Sequence, residues 1–120
     1  MEIRKKRIAF FIEKLYEDLE FWYPYLRLKE EGCDTVVIGP TVGEYIGKNG
    51  LKASAEQSIV AVKPDEFSAL VIPGGYSPDH MRRIPEMVDF VRTMHEQNKI
   101  IAAICHGPWM LASAGILNGV

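Results

Sequence analysis

Short apolar runs alternate along this chain with stretches whose apolar residues recur every three or four positions. Ile8-Ala9-Phe10-Phe11-Ile12 is a continuous apolar run. It is too short for a core helix and predicts a strand buried on both faces. Leu19, Trp22, Tyr23 and Leu26 then sit at i, i+3, i+4 and i+7, which predicts a helix with these four residues on its buried stripe. Glu17 and Asp18 suit the start of that helix and Gly32 its end. Pro24 has no N–H for the carbonyl of Glu20, so the helix is expected to bend there. Thr35-Val36-Val37-Ile38, closed by Gly39-Pro40, predicts a second strand and completes a right-handed β-α-β unit.

Residues 41–63 break this rhythm. Gly43, Gly47 and Gly50 punctuate an excursion with the look of a hairpin, and Ile59-Val60-Ala61-Val62 predicts the one clear strand within it. Ala69-Leu70-Val71-Ile72 predicts a strand that runs into Pro73-Gly74-Gly75. Pro85 opens a helix with the stripe Met87, Phe90, Val91 and Met94. Ile100-Ile101-Ala102-Ala103-Ile104 predicts another buried strand, and Gly107-Pro108 begins a last helix that stops near Gly115. This order predicts an α/β fold: a doubly wound sandwich around a mainly parallel sheet. Ile116-Leu117-Asn118-Gly119-Val120 reads as a turn into a further strand, so the fold is expected to lack its C-terminal part.

Composition narrows the classes. The 120 residues are 48% apolar and 25% charged, with a formal net charge of −2. That balance fits one globular domain over residues 1–120 and is unlike a disordered chain. It supplies no electrostatic reason for a nucleic acid or membrane partner. The basic run Arg4-Lys5-Lys6-Arg7 reads as a solvated flank before the first strand. No apolar stretch reaches the roughly 20 residues of a membrane span, and the N-terminus lacks the apolar core of a signal peptide. Cys33 and Cys105 make no disulfide framework, which suits a cytoplasmic location. No Cys/His spacing forms a metal site, and no Gly-Lys-Ser/Thr follows the glycines to make a phosphate loop, so no metal or cofactor is expected.

The chemistry concentrates at two strand ends. Cys105 lies between a strand and a helix, on the sheet edge where ligands bind in open α/β folds. A sharp strand-to-helix turn brings together the positions two before and two after a nucleophile. These are Ala103 and Gly107 here, small as such an elbow requires. The N–H groups of the following helix favour negative charge on the sulfur. Gly74 and Gly75 leave bare N–H groups at the neighbouring strand end, where an oxyanion can be held.

Val71-Ile72-Pro73-Gly74-Gly75 with Ser77-Pro78-Asp79, then Ala102-Ala103-Ile104-Cys105-His106-Gly107-Pro108, resembles the PfpI branch of the ThiJ/PfpI superfamily. Glu17-Asp18-Leu19-Glu20 with Tyr23-Pro24-Tyr25 and Arg27-Leu28 is similar to the same branch near its N-terminus. The resemblance covers nearly the whole chain. It implies a flavodoxin-like sandwich related to class I glutamine amidotransferases, with these 120 residues as the N-terminal two-thirds of the family domain. It also implies Cys105 as nucleophile, His106 as its neighbour in the catalytic set, and Glu20 as the carboxylate against the cysteine. Gly75 and the backbone of His106 match the oxyanion donors. Asp79 stands where the branch carries a glutamate that reaches an adjacent subunit's site, one methylene shorter. A homo-oligomer, dimer or higher, is therefore expected, acting on a small-molecule or peptide substrate. The leading expectation is an intracellular hydrolase of peptide or amide bonds through a thioester. The alternatives are a glyoxalase or deglycase acting on methylglyoxal or its adducts, and a non-enzymatic oxidative-stress sensor or chaperone.

Overall fold

The computed structural model describes residues 4–119. Its strands are β1 (Arg7–Phe11), β2 (Asp34–Gly39), β3 (Gly43–Ile46), β4 (Lys52–Ala55), β5 (Gln57–Ser58), β6 (Ala69–Ile72) and β7 (Ile100–Ala103). Its helices are α1 (Asp18–Glu30), α2 (Ser77–Met81), α3 (Pro85–Glu96) and α4 (Pro108–Ser113). The main sheet has the order β5-β2-β1-β6-β7 with every pairing parallel, and β3 and β4 form a separate antiparallel hairpin. This is the expected α/β sandwich with a parallel sheet.

Alternation along the central strands divides the core. Ala9, Phe11, Leu70 and Ile72 point to α3 and α4, meeting Met87, Phe90, Val91, Met94 and Met110. Ile8, Phe10, Ala69 and Val71 point the other way, to Phe21 of α1 and, through Val37, to Ala53 and Ala55 of the hairpin. The stripe expected for α3 is thus the buried one. Of the stripe expected for α1, only Trp22 packs against the core. Leu19 and Tyr23 are 71% exposed and Leu26 55%, while Phe21 is buried and Tyr25 and Leu28 pack beside it. The two stripes are interleaved around the same helix. Phe21 wins because its ring meets Phe10, Tyr16 and Tyr25 within 6.0 Å. Pro24 lies inside α1, which runs on unbroken to Glu30.

Two further expectations are corrected. Ile59–Ala61 is a 3-10 turn, not a strand, because Ile59 alone is buried and Val60 is 74% exposed. The strand there is the two-residue β5, paired to the end of β2. β7 is an edge, with Ile100 and Ala102 exposed on the side of α1, instead of a strand buried on both faces. The segment after Gly115 forms a turn at Asn118-Gly119; the rest of the expected strand entry, Val120, lies outside the described residues.

Candidate active site

The chain leaves β1 toward β2 on one side and later returns to β6 on the other, so the carboxyl ends of β1 and β6 flank a topological switch point. The segment after β1 and the loop after β6 meet there in an isolated bridge between Tyr16 and Gly75. Tyr76 N–H donates to Leu15 at 2.9 Å and Glu17 N–H to Gly74 at 3.2 Å. Gly75 has φ +77°, and a Cβ on it would stand 2.5 Å from Glu17 N. Only glycine fits that approach. The buried Ser77 hydroxyl closes the loop by donating to Gly74 O at 3.0 Å. Sequence reasoning placed Ser77 only in a motif; its spacing of three from Gly74 is the signal of a side-chain-locked turn.

β7 brings up the second element. Its register with β6 ends at Ile72 opposite Ala103, and Ile104 N–H continues the ladder to Ile72 O at 3.1 Å. The backbone then turns at Cys105, whose φ is +56°. A non-glycine residue in this left-handed region is strained by about 1–2 kcal/mol. The elbow anticipated from Ala103 and Gly107 is therefore present. A Cβ on Gly107 would stand 2.7 Å from Ile72 O and 2.8 Å from Ile104 N, so the following turn has no room for a side chain. Cys105 is exposed, whereas Cys33 is buried.

Gly74 joins the two elements to α1. Its N–H donates to Glu20 Oε1 at 2.9 Å. A Cβ added to Gly74 would lie 2.5 Å from that oxygen and 3.0 Å from the Cβ of Cys105. The Glu20 carboxylate and Cys105 therefore flank one backbone position. The N–H groups of Gly75 and His106 have no acceptor among the described residues. They stand beside and after that position as two uncommitted donors.

The other expected members stand apart. The His106 side chain is exposed, and its ring lies on Trp109, with centroids 4.6 Å apart. No hydrogen bond joins it to Cys105 among the described residues. Asp79 pairs with Arg83 one helical turn on, at 3.1 Å. Within one chain, the expected trio of Cys105, His106 and Asp79 is not linked.

Sequence reasoning also missed how the entry to α1 is held. Asp18 is buried and accepts from the N–H groups of Asn49 (2.9 Å) and Leu51 (2.8 Å) at the hairpin tip. Tyr16 is buried; its hydroxyl donates to Leu51 O at 2.7 Å and accepts from Trp22 Nε1 at 3.2 Å. Burial pushes the Tyr16 phenol above its usual value. Lys48 Nζ pairs with Glu17 at 3.0 Å, and this carboxylate holds the Lys48 ammonium above its usual value. The hairpin thus clamps the segment that carries Glu20.

A parallel α/β sandwich with an exposed cysteine at a strand-helix elbow, a carboxylate beside it and bare backbone donors defines a class of cysteine-centred α/β proteins. A model of the DJ-1/PfpI family matches residues 6–120, and the chain belongs to that family. It is 42% identical to the deglycase PfpI of Pyrococcus furiosus over 94% of this chain and 68% of that protein. It is 43% identical to a deglycase of Pyrococcus abyssi over 87% of this chain and 63% of that one. Among solved structures, a two-domain protein from Anabaena variabilis with DJ-1/ThiJ/PfpI-like and ferritin-like domains superposes with a TM-score of 0.94 at 44% identity, covering 96% of this chain and 34% of that one. The chain thus spans about two-thirds of the length of the curated relatives. Both of these relatives are named deglycases, whereas a peptide hydrolase led the expectations from sequence. No helix among the described residues is long and apolar enough to cross a membrane.

Proposed function

We propose that this chain carries the catalytic elbow of a deglycase or glyoxalase-type enzyme that acts on methylglyoxal or its amine adducts. The observation that carries the reading is the placement of Gly74 between the Glu20 carboxylate and Cys105, with Cys105 exposed at φ +56°. The deglycase names of relatives at 42% and 43% identity support the choice of substrate class.

In this reading Cys105 Sγ adds to the substrate's carbonyl carbon. A C–S bond forms and the C=O π pair moves to oxygen, where the N–H groups of Gly75 and His106 receive the charge. Glu20 moves the proton between the sulfur and the substrate carbons. His106, exposed at the mouth, handles the proton of the departing amine or attacking water. For a methylglyoxal hemiaminal, the amine leaves first and frees the aldehyde carbon for the sulfur; moving the proton from that carbon to its neighbour gives a lactoyl thioester, and one water breaks the C–S bond to release lactate and the thiol. Asp79 would join only from a neighbouring copy, after leaving Arg83.

Wild type and Cys105→Ser should be compared on methylglyoxal, on methylglyoxal-treated N-acetyl-lysine and on a fluorogenic peptide. The reading expects wild type to consume the first two and the variant to consume neither. Turnover of the peptide alone would restore the hydrolase reading. An unchanged Cys105→Ser variant would overturn both.

A further inference from the structure

We infer that Trp109 is a positioning residue that holds the His106 imidazole in one orientation at the mouth of the Cys105 elbow, and that Arg82 braces it. The inference rests on the proton-handling role proposed above for His106. Residues 106, 109 and 113 fall at i, i+3 and i+7, along one side of the turn into α4. The His106 ring lies 4.6 Å from the Trp109 ring at 41°. The Arg82 guanidinium sits 5.6 Å from the centre of the same indole. Arg82 Nε in turn donates to Ser113 Oγ at 3.0 Å, so both ends of α4 anchor the stack.

The stack answers a problem set by the site. An exposed histidine with no hydrogen-bond partner samples several rotamers, and proton transfer needs one of them. Among the described residues no side chain or backbone group bonds the His106 ring. The indole face is the contact that orders it. The indole is itself 40% exposed, and the Arg82 guanidinium lies over its ring. The order of support runs from Ser113 through Arg82 and Trp109 to His106. The device is held from the end of α2 and from α4, whereas Glu20 is held from α1 through Gly74, so the two groups are fixed by separate elements.

The test uses the three histidines of the chain as reporters. Ring proton resonances of His106 are identified by their loss in His106→Gln and are expected to be displaced by the Trp109 ring current. Trp109→Ala should remove that displacement and lower kcat for methylglyoxal about 2- to 10-fold, the range an aromatic pair spans, with KM within about twofold. Trp109→Phe should restore most of both, and Arg82→Ala should give a smaller loss of each. Urea unfolding of each variant keeps misfolding separate from misplacement. A Trp109→Ala protein that keeps its kcat while His106→Gln is inactive overturns the positioning inference and leaves the proposed function standing. A fully active His106→Gln removes the role of His106 in that function and the inference with it.

Discussion

Cys105 carries the sharpest conflict between stability and chemistry in the chain. Its φ of +56° is one that glycine adopts without cost, yet the proposed reaction needs a thiol there. Cys105→Gly is expected to be inactive and about 1 kcal/mol more stable than Cys105→Ala, which stays strained without the sulfur. Chemical denaturation of the two variants measures this, and equal stabilities would remove strain from the account. The residues about the elbow were legible because small side chains flank Cys105 at a fixed spacing. What His106 and Asp79 touch was not legible. Neighbours in sequence diverge in direction at a turn, and the His106 ring settled on Trp109 and the Asp79 carboxylate on Arg83.

At the scale of elements, α1 shows where periodicity stops being decisive. Two apolar stripes run along it, one with Leu19, Trp22, Tyr23 and Leu26, of which only Trp22 packs inward, the other with Phe21, Tyr25 and Leu28. Either satisfies a 3.6-residue repeat, and only the cavity offered by β1 and the hairpin selects between them. Phe21→Ala is expected to cost about 3–5 kcal/mol, and Leu19→Ala within about 0.5 kcal/mol of nothing. Urea midpoints of the pair decide it; comparable losses would return Leu19 to the core. The hairpin was harder still. Its strands are short, one is a mix of small and polar residues, and its position depends on Asp18 accepting two N–H groups from its tip.

At the scale of the whole molecule, two buried ionisable groups tie stability to alkaline pH. Burial pushes Cys33 above a thiol's usual 9.0 and Tyr16 above a phenol's usual 10.0. As pH rises through those usual values, the unfolded chain releases protons that the folded chain still holds, so stability falls. Cys33→Ala should flatten the decline in urea midpoint between about pH 8 and 10. An unaltered decline would assign it to other groups. Exposed apolar surface sets a second expectation. Leu19, Tyr23 and Leu26 on α1 and the open edge with Ile100 leave the 120-residue chain two surfaces that water disfavours. Light scattering is expected to show species heavier than 13.6 kDa, and a strictly monomeric active chain would exclude a site shared through Asp79.

The alternation of apolar runs with periodic segments was enough to determine the α/β class, the parallel sheet, the buried face of α3 and the elbow at Cys105. Each depends on residues close together in the chain and on backbone sterics that act locally. The choice of face on α1, the edge position of β7, the turn at Ile59 and the partners of Glu20 were decided only in the tertiary structure. Glu20 and Gly74 are far apart in sequence, and their 2.9 Å hydrogen bond exists because β1 and β6 lie side by side. No local pattern encodes that adjacency; it follows from packing both faces of the sheet at once.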